Sequence, residues 1–221
     1  MRSHRLFPIL IFAGSLSCAL VLPARAAVPA GSPASLVAAT SSQIITALDR
    51  NKVKIHKNPE LIKQLIDKYL LPHFDFAFTS QLVLGRYWRL ATPSQRQAFE
   101  KVFLRYLVNT YANALKNYSG ARVEVLPFRG DAAQRFVKVR SRIIISNREP
   151  IAVDYALKKT TVGWKVFDVI IAGVSYVQTY ADEFRPEVQR TGIEALIERL
   201  RRARAPQSLT APAAATSGGR Q

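Results

Sequence analysis

Apolar positions recur at helical spacing through the first half of the chain, alternate with polar ones in its middle, and return to helical spacing near the end. Val37, Ile44, Ile45 and Leu48 share one side of a helix predicted over Ser35 to Arg50. Asn58-Pro59-Glu60 is a helix start, with Asn as N-cap and Pro at the first helical position. Leu61, Ile62, Leu65, Ile66, Tyr69 and Leu70 then form a broad stripe that Pro72 ends. Phe74, Phe76 and Phe78 alternate as a strand would, but the helix-stop Gly85 favours a short helix over Asp75 to Leu84. Thr92-Pro93-Ser94-Gln95 is a capping box, opening a long amphipathic helix to about Tyr118. Phe99, Phe103, Tyr106, Leu107, Tyr111 and Leu115 lie on its buried face.

From Arg122 the period changes to two. Strands are expected over Arg122 to Phe128, Gln134 to Ser146, Ile151 to Lys158 and Trp164 to Ile171, joined by turns at Asn147 to Pro150 and Thr161 to Gly163. Short links between sequential strands imply an antiparallel meander. Val137, Val139, Ile143 and Ile145 face one way, and Lys138, Arg140 and Arg142 the other. On the third strand Ile151, Val153, Tyr155 and Leu157 form the apolar side. One greasy face and one charged face mean that the sheet is covered on one side only. Val174 to Arg190 is amphipathic, with Pro186 expected to break or kink it. Thr191-Gly192-Ile193-Glu194 reads as a second capping box before a last helix carrying Leu196, Ile197 and Leu200. The order implies an α+β domain: a curved antiparallel sheet of about four strands with helices packed on one face.

The ends read differently. Arg2 and Arg5, an apolar run from Leu6 to Leu22 and Ala24-Arg25-Ala26 have the order of a secretory signal, expected to occupy residues 1–26. Retention as an anchor is disfavoured by Pro8, Gly14 and Ser15. Lipid attachment at Cys18 lacks the leucine such a site needs three positions upstream, where Ser15 stands. A single domain is expected over residues 27–204. The Pro/Ala/Ser/Gly-rich residues 205–221 are expected to be a disordered tail.

Composition narrows the chemistry. The 221 residues are 48% hydrophobic and 21% charged, ordinary for a globular protein. Lys and Arg number 32 against 15 Asp and Glu, a net charge of +17. Removing Arg2, Arg5 and Arg25 with the signal leaves +14. So basic a chain favours an anionic partner. Export turns that expectation from nucleic acid toward membranes and lipids, so no nucleic-acid partner is expected. Cys18 is the only cysteine, which leaves no disulfide framework and no Cys-based zinc site. Neither nucleotide-binding glycine motif occurs. His56 and His73 lack a second His or Cys at ligand spacing, so no metal is expected. His73 and Asp75 form a possible polar pair, and Ser175 lacks the setting of a nucleophile. Asp168 and Asp154 are the candidate general bases of a cone-shaped enzyme. Parity puts Asp154 toward solvent and makes Asp168 more often the partner of a nearby arginine.

Several segments in order carry a resemblance. They are Asn58-Pro59 through Leu70-Leu71-Pro72, then Leu82-Val83-Leu84-Gly85-Arg86-Tyr87-Trp88 and Ala91-Thr92-Pro93-Ser94-Gln95-Arg96. Trp164 to Ile170 followed by Gly173-Val174-Ser175, and Thr191-Gly192-Ile193 with Leu196, complete the series. Together they resemble the MlaC, or toluene-tolerance, family over about Ser35 to Arg202. The resemblance implies a fold similar to the NTF2-like cone with extra helices, and a periplasmic phospholipid carrier without a cofactor or catalytic residues. It implies as partners phospholipid, an inner-membrane ABC transporter complex and an outer-membrane lipoprotein–porin complex. On this reading the acyl chains meet Val137, Val139, Ile143, Ile145, Ile151, Val153, Tyr155 and Leu157 from the sheet. Phe103, Tyr106, Leu107 and Tyr111 oppose them. The alternative is an NTF2-like enzyme acting on a hydrophobic small molecule through Asp168 or Asp154 with a tyrosine.

Overall fold

The computed structural model describes residues 31–203 apart from 59 and 116–119. The expected signal over residues 1–26, the tail over 205–221 and the end of the long helix at Tyr118 lie outside the described residues. Eight helices and a 3₁₀ turn flank the sheet: α1 (Pro33–Arg50), α2 (Lys52–Lys57), α3 (Leu61–Tyr69), the 3₁₀ turn (Leu71–His73), α4 (Phe76–Leu84), α5 (Arg86–Leu90), α6 (Pro93–Leu115), α7 (Tyr176–Thr191) and α8 (Ile193–Arg202). The sheet contains β1 (Arg122–Val125), β2 (Phe136–Ile144), β3 (Ile151–Thr160), β4 (Gly163–Ile171) and β5 (Val174–Ser175), paired antiparallel in sequence order. The molecule is α+β, with five strands among the described residues where about four were expected.

The fifth strand comes from a tight turn. Ala172 and Gly173 both adopt positive φ, 49° and 84°. That is the geometry of a two-residue hairpin. It folds Val174 and Ser175 back against Ile171 and Ile170, and the helix begins only at Tyr176. Ser175 caps it, its hydroxyl accepting from the Gln178 N–H at 3.0 Å.

Other local signals were read at the right place with differing details. The capping box at α6 is reciprocal: Gln95 N–H donates to Thr92 Oγ1 at 3.2 Å and Thr92 N–H donates to Gln95 Oε1 at 3.0 Å. Asn58 does not cap α3 directly. Its side chain accepts from the Glu60 N–H, forming an Asx turn, and the helix starts at Leu61. The second capping box does not form. Thr191 Oγ1 donates back to the Glu187 carbonyl at 2.9 Å, keeping Thr191 in α7, while Gly192 at φ 84° separates α7 from α8. Pro186 does not break α7. It and Asp182 are exposed, so the carbonyl left without a donor has water at hand.

Three apolar clusters position the site. In the first, α4, α6, α7 and α8 pack around Phe99, Phe103, Phe184, Leu196 and Ile197. Gly85 ends α4 at φ 56°, and a Cβ there would lie 3.1 Å from Arg185 Nε. The Arg185 guanidinium occupies that space because it donates to the Leu82 and Val83 carbonyls at 2.7 and 3.0 Å. In the second, Ile44, Leu48, Ile55, Ile62 and Ile66 join α1, α2 and α3, with Ala112 of α6 against them. In the third, Ala34 and Val37 of α1 pack on Val139, Leu157 and Val166 of the sheet. The other sheet face leaves Lys138, Arg140 and Arg142 exposed, as the alternation requires.

One irregularity bends that alternation. Leu157 pairs with Val166, whereas Tyr155 pairs with Val169, so β4 carries an extra residue between them. Such a bulge increases local twist and bend. It also moves the inward positions of β4 from an even number, Val166, to odd ones, Val169 and Ile171.

Candidate functional site

Between the apolar sheet face and α1, α3, α4, α6 and α7 lies a cavity of about 360 Å³, within the usual size range of ligand pockets. Its wall is built from apolar residues of every surrounding element. Leu36, Val37, Ile44, Ile45 and Leu48 come from α1; Phe103, Leu104, Leu107, Val108 and Tyr111 come from α6. Val123, Ile143, Val153, Tyr155, Val166, Val169 and Ile171 face them from the sheet, and Tyr176, Val177 and Tyr180 close it from α7.

The expected lining divides in two. Phe103, Leu107, Tyr111, Ile143, Val153 and Tyr155 border the cavity. Val139 and Leu157, 1% and 0% exposed, are packed instead under α1 in the third cluster, with Val137 against them. Tyr106 belongs to the helical core with Phe184 and Tyr180, and Ile145 and Ile151 flank the β2–β3 turn beyond the cavity wall. Alternation gives the face of a residue, not its depth along the strand: Ala34 and Val37 at the start of α1 pack onto Val139 and Leu157, while later α1 residues such as Ile44 and Leu48 line the cavity. The α1 residues, Leu71, Phe74 and the end of β4 were absent from the expected lining. Their signal was visible as the α1 stripe, which reads identically for a cavity wall and for ordinary core.

The polar groups of the wall are few. Asp168 is its only charged residue among the described ones, and no Lys, Arg or His lines it. Asp168 pairs with no arginine among the described residues. Its carboxylate accepts from Ser175 Oγ at 2.6 Å and from the Val177 N–H at 3.0 Å, which fixes the start of α7. Ser175 thus serves as a cap and as a donor to Asp168. Asp154 stands opposite Arg140 on the charged face, away from the cavity. Asp75 does not pair with His73. It caps α4 by accepting from the Phe78 N–H at 3.0 Å and meets Lys158 Nζ at 2.5 Å. Burial alone would raise the Asp75 carboxyl, but the hydrogen bonds from Lys158 and Phe78 and the charges of Lys158 and Lys165 hold it below its usual value. Burial, with Lys165 nearby, lowers His73.

Tyrosine hydroxyls supply most of the remaining polarity. Tyr111 and Tyr180, both on the wall, are joined through their hydroxyl oxygens at 2.9 Å. Burial, and then the hydrogen bond to Tyr111, push the Tyr180 phenol well above its usual value, so it stays neutral at any physiological pH. Among the described residues no group of three or more His, Cys, Asp or Glu is placed to hold a metal ion. A lumen this largely apolar suits hydrocarbon. Each methylene removed from water contributes about 0.8 kcal/mol.

Comparison with known proteins gives this geometry a context. A family model described as "MlaC protein" matches residues 38–202. An intermembrane phospholipid transport system binding protein, MlaC, of Haemophilus influenzae is 28% identical over 182 residues, which cover 81% of this chain and 85% of that protein. Toluene tolerance protein ttg2D of Pseudomonas putida is 30% identical over 166 residues, covering 75% of this chain and 77% of that protein. Among solved structures, a phospholipid-binding protein from Ralstonia solanacearum, in complex with a phospholipid, matches with a TM-score of 0.73 at 33% identity. That match covers 77% of this chain and 95% of the other.

Proposed function

The chain belongs to the MlaC family, and from that membership we propose that it is a periplasmic phospholipid carrier, moving lipid between outer-membrane and inner-membrane complexes. The observation that carries this reading is the cavity of about 360 Å³, walled by the sheet and the helices and lacking any cation among its lining residues. Acyl chains occupy it, and the phosphate-bearing headgroup stays outside. A sixteen-carbon chain exposed to water is disfavoured by roughly 12 kcal/mol. Free diffusion of a two-chain lipid across an aqueous compartment is therefore negligible, and a dry cavity is the only device a carrier requires.

The Ralstonia solanacearum relative, solved in complex with a phospholipid, supports the cargo. The Haemophilus influenzae relative is named for intermembrane phospholipid transport, which fits the compartment. The partners on this reading are an inner-membrane ABC transporter complex and an outer-membrane lipoprotein–porin complex. No helix among the described residues is long and apolar enough to cross a membrane. On this reading residues 1–26 are the export signal, residues 27–204 the lipid-binding domain and residues 205–221 a tail. The protein needs no cofactor beyond its cargo and performs no catalysis. Asp168 is engaged in holding the start of α7, and Asp154 lies on the opposite sheet face.

Lipid exchange between vesicles tests the proposal. Donor vesicles carry self-quenched fluorescent phosphatidylethanolamine, and acceptor vesicles carry none. Dequenching is expected to accelerate in proportion to added protein, without ATP. No acceleration by folded protein would overturn the reading.

A further inference from the structure

The cavity wall contains hydroxyl hydrogens that no acceptor among the described residues takes up. Helical threonines normally return their hydroxyl to the carbonyl one turn back. Thr110, Thr179 and Thr191 do so here, at 2.7, 2.8 and 2.9 Å, and Thr79 Oγ1 reaches the Phe167 carbonyl of β4 at 2.7 Å. Thr40 of α1 does not. It borders the cavity, is 8% exposed, and its Oγ1 has no hydrogen-bond partner among the described residues. A buried hydroxyl without a partner is costly, and its persistence calls for a partner that arrives from elsewhere.

The tyrosine pair is in the same condition by simple counting. Two phenolic hydroxyls bring two hydrogens, and the bond between Tyr111 and Tyr180 uses one of them. The other has no acceptor among the described residues. Tyr180 is 2% exposed, and both rings border the lumen.

What a ligand must bring is therefore an acceptor that is neutral and adjoins hydrocarbon. Hydrocarbon itself has no acceptor. A phosphate would need cations, and the one charged lining residue, Asp168, is an anion. The ester carbonyl that joins an acyl chain to glycerol meets every condition. We propose that Thr40 and the Tyr111–Tyr180 pair donate hydrogen bonds to the acyl-ester carbonyls of the bound lipid, so that the cavity selects ester-linked over ether-linked lipid. This rests on the phospholipid-carrier reading and adds a specificity to it.

The test offers the full-length protein vesicles containing equal amounts of dioleoyl phosphatidylethanolamine and its di-O-octadecenyl ether analogue, which keeps the chains and headgroup but lacks both carbonyls. Lipid recovered with the protein is quantified by mass spectrometry. The wild type is expected to enrich the diester by roughly fivefold, the scale of one or two neutral hydrogen bonds. Thr40→Val preserves shape and should lower the ratio. Tyr111→Phe or Tyr180→Phe alone still leaves one phenolic hydrogen, so only the double exchange removes the donor. The triple variant, with its melting transition checked against the wild type, should take both lipids equally. Equal uptake by the wild type, or full enrichment by the triple variant, would overturn the ester proposal and leave the carrier reading standing. Uptake of neither lipid by folded wild type would overturn both.

Discussion

Val139 and Val153 lie on the same face of the sheet, 1% and 2% exposed, yet a carboxylate should act differently at each. Val153 borders the cavity, where an introduced glutamate can draw water into the lumen and keep part of its hydration. Val139 is enclosed by Ala34, Val37 and Leu157, with no lumen beside it. Val153→Glu is expected to fold and to lose co-purified lipid. Val139→Glu should lower stability by several kcal/mol, seen as a large fall in melting temperature. Similar melting temperatures for both, with lipid retained by Val153→Glu, would contradict the placement of the cavity. Sequence parity assigned both residues to the apolar face correctly. It had no means of separating them, because depth along a strand depends on where α1 crosses, which is a tertiary fact. The unused hydroxyl of Thr40 was equally hidden, since a threonine in a helix reads the same whether or not its hydroxyl bonds backward.

At the scale of elements, the joint between α4 and the sheet is electrostatic as well as apolar. Asp75 caps α4 and reaches Lys158 on β3, while the Asp75 N–H donates to the Val166 carbonyl of β4 at 2.8 Å. A carboxyl held below its usual value contributes stability that is complete above the unfolded value, near pH 4, and is lost as pH falls through the lowered one. Asp75→Asn should therefore be less stable than the wild type at pH 7. The gap should narrow in urea titrations as pH falls below about 4. A gap independent of pH would show that the ion pair contributes nothing. The helices here were legible because their caps are local: Thr92 and Gln95 form their reciprocal bonds within four consecutive residues. The errors fell where a longer-range choice intervened. Ala172 and Gly173 fold Val174 and Ser175 onto β4 before α7 can begin, and Thr191 bonds within α7 rather than opening α8. The bulge in β4 was invisible for the same reason, since an extra residue in a strand is defined only against its partner.

Over the whole molecule, charge and greasiness occupy opposite sides of one sheet. Lys138, Arg140 and Arg142 face outward and exposed, while the inner face meets the helices and the lumen. These three charges lie on the surface, and a chain as basic as this one, +17 over its full length, favours approach to anionic surfaces. The fold class followed from the order of the hydrophobic periods alone. The cavity did not, because a wall and a core use the same residues, and only the resemblance of the ordered motifs to a lipid-carrying family separated the two. The most direct measurement is mass spectrometry of lipid extracted from the protein after purification without detergent. The carrier account predicts phospholipid in an amount comparable to the protein itself; protein that is folded and free of phospholipid would contradict it.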